Sequence, residues 1–88
     1  MDRHEILKAA TEIVTNRENE YGSPKQNFES IAELWTSFLG NKLDVEILAA
    51  DVAIMMCLLK IARLKSDTSH EDSVIDLCGY AALAGEVS

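Results

Sequence analysis

Asp51-Val-Ala-Ile-Met-Met-Cys-Leu-Leu-Lys-Ile-Ala-Arg63 is the stretch that decides the fold of this 88-residue chain. From Val52 to Ala62 it is apolar on nearly every side of a helix, and a helix apolar all round has to be surrounded. The helix reads from near Asp44, a good N-cap residue, to about Lys65. Three partner helices in so short a chain can just cover it; a second subunit covers it more easily. The expectation is a homo-oligomer, most simply a dimer, with this helix near the interface.

Upstream lies the clearest helix start in the chain. Ser23-Pro24-Lys25-Gln26 supplies an N-cap serine, a proline at the first helical position and a glutamine at the third. Phe28, Ile31, Ala32, Trp35, Phe38 and Leu39 follow on one face, and Gly40 suits the helix end. Before it, Ile6, Leu7, Ala10, Ile13 and Val14 form an apolar stripe on a helix from about Arg3 to Thr15. The polar run from Asn16 to Gly22 then breaks that pattern. Downstream, Ser66-Asp67-Thr68-Ser69 is the last break, with Thr68 or Ser69 as cap. The fourth helix runs to about Ala84 with Val74, Leu77, Cys78 and Ala81 as its core stripe. There is no repeat, linker or low-complexity segment. The expected architecture is all-α: one compact domain, residues 1–88, of about four helices.

Composition agrees. Hydrophobic residues make up 48%, which argues against disorder, and only one proline and four glycines interrupt the chain. The net charge is −7 with only eight lysines and arginines, so direct nucleic-acid binding is not expected. Such an acidic chain can contact a basic protein surface or hold a nucleotide through a metal ion; it can equally be acidic for solubility alone. Cys57 and Cys78 fall in apolar helical runs with no zinc or disulfide spacing, which fits buried thiols in a reducing, cytoplasmic setting. The charged start Met1-Asp-Arg-His-Glu5 is followed by no signal-peptide core. The apolar run from Ile47 to Leu59 contains Asp51 and is too short to span a bilayer.

Several polar residues stand out against this apolar background. Asp72, Asp76 and Tyr80 are spaced by four and share a helix face, a stripe that a core does not require. Asp51 sits among apolar neighbours and needs a partner: a metal, a basic side chain or a backbone donor. It also lies near a helix start, where negative charge is favoured without any ligand. Carboxylates on facing helices are how α-bundles bind divalent cations, which makes Asp51, Asp72 and Asp76 a candidate metal set. Against that, Asp72 and Glu71 suit capping boxes with Ser69 and Thr68. Lys60 and Arg63 suit phosphate, or simply the C-terminal end of a helix dipole. Tyr21, ahead of Gly22 and the second helix, suits stacking on a base or packing as a hydrophobic staple. His70 suits a ligand contact or a cap. Glu29 and Glu33 point away from the apolar face and read as solvated surface.

Taken together, Asn19-Glu-Tyr21-Gly22-Ser-Pro24, Asn27-Phe28, Ile31-Ala-Glu-Leu-Trp35, Asp51-Val-Ala-Ile-Met-Met56, Lys60-Ile-Ala-Arg63 and His70-Glu-Asp72-Ser-Val-Ile-Asp76-Leu-Cys-Gly79-Tyr80 resemble a small domain of phages and prophages. A more distant similarity is to phage nucleotide-modification-associated domains, and beyond them to MazG-type all-α nucleotide pyrophosphohydrolases. Those enzymes bind Mg²⁺ through a Glu-x-x-Glu and a later Glu-x-x-Asp; this chain has neither on an inward face. The resemblance implies a MazG-like helical bundle and a nucleotide-like ligand, with Mg²⁺ on Asp51, Asp72 and Asp76. It places Lys60 and Arg63 near phosphates, and Tyr21, Tyr80 and His70 near the rest of the ligand. Two functions are compatible with it. One is a nucleotide- or nucleotide-metabolite-binding protein acting as a Mg²⁺-dependent pyrophosphohydrolase. The other is a non-catalytic anti-defence protein that sequesters a host signalling nucleotide or binds a host protein.

Overall fold

The computed structural model describes residues 1–42 and 44–88. They form α1 (Arg3–Tyr21), α2 (Pro24–Leu39), a short 3-10 turn (Gly40–Lys42), α3 (Ala49–Ser66) and α4 (Glu71–Val87). The all-α expectation holds, with four α-helices and no strand among the described residues.

Each helix has a local reason for its limits. Asp2 and Glu5 form a capping box on α1, with Asp2 accepting from the Glu5 N–H at 2.9 Å. The expected break at Asn16 does not occur. Nothing before Gly22 opposes helix, so the polar residues 16–20 continue α1, all exposed but the half-buried Arg17, until Gly22 leaves it at φ 80°. Ser23 caps α2 with Pro24 behind it, as read from the sequence; Gly40 ends the helix at φ 50° but with ψ −122°, not in the left-handed helical conformation such an end commonly takes. Helix α3 begins at Ala49 rather than near Asp44. Asp51 sets this start, its carboxylate accepting from the Leu48 N–H at 2.9 Å. The cap of α4 is His70, not Thr68 or Ser69. Its Nδ1 accepts from the Ser73 N–H at 3.2 Å, while the Ser69 hydroxyl turns back to donate to Asp67 at 2.6 Å.

Helices α3 and α4 form an antiparallel hairpin about the turn at residues 67–70. Helix α1 packs on α4, and α2 packs on α3. The core comprises Phe28 and Ala32 of α2, Val52 and Ala53 of α3, and Tyr80, Leu83 and Ala84 of α4. The buried face of α4 is therefore not the expected one. Ser73, Ile75, Gly79, Tyr80, Leu83 and Ala84 are buried, whereas Val74, Leu77 and Cys78 are half-buried and Ala81 is exposed. Two neighbours on different sides of α4 widen its buried face. Nor is α3 surrounded: Ile54, Met55, Leu58, Leu59 and Ile61 are all at least 40% exposed. The molecule is flattened, measuring 44 × 31 × 19 Å.

Candidate ligand pocket and the polar seam

The Asp72–Asp76–Tyr80 stripe does not flank the core; it enters it. Steps of four residues advance about 40° around a helix, so the third member is turned about 80° from the first. Asp72 is exposed, Asp76 is half-buried, and Tyr80 is only 6% exposed. Tyr80 is a core residue. Its ring lies 6.4 Å from Phe28, and the Arg17 guanidinium sits 5.0 Å from its ring centre.

Asp76 is held across the hairpin by Lys60, with Nζ to Oδ2 at 3.0 Å and the lysine side chain only 12% exposed. A lysine so far from water needs its partner. Gly79 lies one turn along, and a Cβ there would meet Val14 Cγ1 of α1 at 3.3 Å. The small side of α4 thus lets α1 approach and brings Arg17 to Tyr80. The seam is tight: the recess between Arg17, Asp76 and Tyr80 holds only about 10 Å³, room for about one water and no larger ligand.

The structure does not bring Asp51 to Asp76. Asp51 precedes Lys60 by nine residues, roughly 13 Å along the axis of α3. Its carboxylate serves the backbone of its own helix start. Among the described residues no group of three or more His, Cys, Asp and Glu is placed to hold a metal ion. Asp51 thus stands apart from Asp72 and Asp76, which share one side of α4.

The remaining expected ligand residues are dispersed. Tyr21 ends α1, 65% exposed, beside a recess of about 20 Å³. Arg63 and His70 line an open depression at the far end of α3 with Leu59, Ala62, Ser66 and Asp67. The His70 imidazole also lies 2.7 Å from the Ser73 hydroxyl, which is buried. Its geometry is that of a cap.

A roomier cleft lies elsewhere, between α2, the start of α3 and the end of α4. Its volume is about 620 Å³, within the range of small-molecule sites. Ala32, Ile47, Ala49, Ala50 and Val87 provide apolar walls; Glu29, Glu33 and Glu46 stand on its rim. Glu29 and Glu33 are exposed, as expected, but they face this opening rather than featureless surface. The Thr36 hydroxyl accepts from the Ile47 N–H at 3.0 Å and pins the connecting segment that forms one wall. Leu48 has no side-chain acceptor, so α3 starts without a side-chain cap, and Leu48, Ala49 and Ala50 line the cleft. Sequence reasoning missed this pocket. Its one local signal was Thr36-Ser37, small polar residues beside an otherwise apolar face.

Residues 5–88 match the family described as Domain of unknown function (DUF6378). The chain is 46% identical over 79 residues to the Gene 55 protein of Mycobacterium phage L5, an alignment covering 89% of this chain and 49% of that protein. It is 42% identical over 77 residues to the Gene 55 protein of Mycobacterium phage D29, covering 86% of this chain and 48% of that protein. The chain thus spans about half the length of these relatives. No solved structure matches it.

Proposed function

We propose that this chain, which belongs to the DUF6378 family, binds a nucleotide or nucleotide-derived metabolite in the α2–α3–α4 pocket and holds it intact. The observation that carries the reading is the pocket itself: about 620 Å³, apolar-walled, lined by Glu29, Glu33 and Glu46 and by the start of α3, which has no side-chain cap. An apolar-walled cleft of this size takes a base, and Glu29, Glu33 and Glu46 suit base amines and sugar hydroxyls. The start of α3 offers donors to a phosphate.

In this reading Mg²⁺ travels as the counter-ion of the ligand's phosphates, not as a resident ion of Asp51, Asp72 and Asp76. Sequestration is the simpler reading of a pocket whose lining carries Glu29, Glu33 and Glu46 but neither Asp72 nor Asp76. The resemblance of the sequence motifs to MazG-type enzymes enters this reading for the ligand class alone. A homo-oligomer belongs to the same reading. The phage relatives suit an anti-defence role, with a host signalling nucleotide as the ligand.

A nucleotide panel with Mg²⁺, read by thermal shift and by mass spectrometry of the recovered ligand, tests this. One ligand class should raise Tm and be recovered uncleaved. At 100 times Kd the gain is about 2.7 kcal/mol, and Ala50→Phe, which fills the pocket, should remove it. Cleaved product would replace sequestration by hydrolysis. A panel without any response would contradict the ligand and leave a host protein as partner.

A further inference from the structure

The outer face of α3 carries a pattern that the pocket does not use. Asp51, Met55, Leu58, Ala62 and Lys65 follow one another at spacings of four, three, four and three. That is the heptad seam of a coiled coil. All five are exposed, with Leu58 at 59%. Ile54 and Ile61 flank the seam at 54% and 48% exposure. No helix of the described chain covers this side.

The ends of the seam are oppositely charged. Asp51 lies in the first turn of α3 and Lys65 in the last, and neither has an ion-pair partner among the described residues. A two-fold axis at Leu58 sets each Leu58 against its copy. It also sets Met55 against the partner's Ile61, Ile54 against the partner's Ala62, and Asp51 against the partner's Lys65. The face is self-complementary in the antiparallel sense and repulsive in the parallel one, which would bring Asp51 to Asp51 and Lys65 to Lys65.

The surface area supports the same occupant. A folded monomer of this mass typically exposes about 5,100 Å², whereas this chain exposes 6293 Å². The excess of roughly 1,200 Å² is comparable to the ~800 Å² that each partner buries in a standard interface.

We propose that α3 pairs antiparallel with α3 of a second copy, the two-fold axis passing at Leu58. The pairing is independent of the ligand pocket, which opens on the other side of α3.

Sedimentation equilibrium and light scattering of the full chain at micromolar concentration test it. The expected mass is twice 9.7 kDa. Leu58→Asp should give a monomer with unchanged helical content, because Leu58 contributes little to the core of one protomer. Lys65→Glu should weaken the dimer roughly tenfold. Adding Asp51→Lys to Lys65→Glu should restore much of that loss, with circular dichroism checking the altered start of α3. A monomer at 100 μM, or a dimer indifferent to Leu58→Asp, would overturn the proposal. A Leu58-dependent dimer that Lys65→Glu does not weaken would overturn the antiparallel register.

Discussion

Lys60 and Asp76 meet where the α3–α4 hairpin leaves little water, and their contact sets what each can do. The 3.0 Å pair stabilises the fold chiefly by sparing Lys60 an unpartnered burial. Asp76→Asn should therefore lower stability by about 1–2 kcal/mol in urea denaturation. Lys60→Met with Asp76→Leu should recover most of that loss, since apolar replacements of a buried pair are often neutral. A ligand-bearing Asp76 would behave differently, leaving the unliganded fold unchanged or more stable when neutralised. His70 is read the same way. Among the described residues its ring is the side-chain partner of the buried Ser73 hydroxyl, and it caps the Ser73 N–H. His70→Ala should cost about 1–2 kcal/mol, and His70→Asn should restore much of the cap. Cys57 is half-buried against the core, and burial pushes its thiol pKa above the ordinary value. Its alkylation at pH 8 should be slower than that of an unfolded control by mass spectrometry.

At the scale of the helices, the ends decide what could be read in advance. Helix α2 was legible because Ser23, Pro24 and Gly40 each have a narrow backbone role and no competitor nearby. The start of α3 was not, because Asp44 and Asp51 are both acceptable initiators. The choice fell to Asp51 through a bond to Leu48, a residue that carries no capping signal. The register of α4 was missed for a different reason. Val74, Leu77, Cys78 and Ala81 make a sound stripe for one neighbour, but α4 has neighbours on two sides, and only tertiary packing shows which face Tyr80 takes. The candidate site suffered most. Its walls come from three separate segments of modest residues such as Ala49, Ala50 and Val87, none of which announces chemistry. The helix ends also predict an acid response. Hydrogen bonds from Ser69 hold the Asp67 carboxyl below its ordinary value of 3.8, and the Glu5 N–H does the same for Asp2. A depressed carboxyl contributes stability above 3.8 that is lost as pH falls through its folded value. Thermal melts should therefore weaken below about pH 4, and Asp67→Asn should flatten part of that decline.

For the molecule as a whole, thinness unites the two proposals. The Cα radius of gyration is 14.0 Å, against about 12 Å expected for a compact chain of this length. Four helices arranged with α4 innermost leave α3 covered on one side only. The uncovered side offers a self-complementary seam, and the covered side, with α2 and the end of α4, encloses the pocket. No helix among the described residues is long and apolar enough to cross a membrane. Thr36 links the parts, since its bond to Ile47 fixes the segment between α2 and α3. Thr36→Val should cost about 1 kcal/mol in stability and weaken ligand binding further by loosening one pocket wall, as measured by calorimetry.

The most direct measurement of the central claim is a ¹H–¹⁵N correlation titration of the full chain with a nucleotide and nucleotide-metabolite panel. The account predicts saturable shifts confined to Ala32, Thr36, Ile47, Ala49, Ala50 and Val87, from a ligand recovered intact. Shifts centred instead on Asp72, Asp76 and Arg63, or no shift from any member at millimolar concentration, would contradict it.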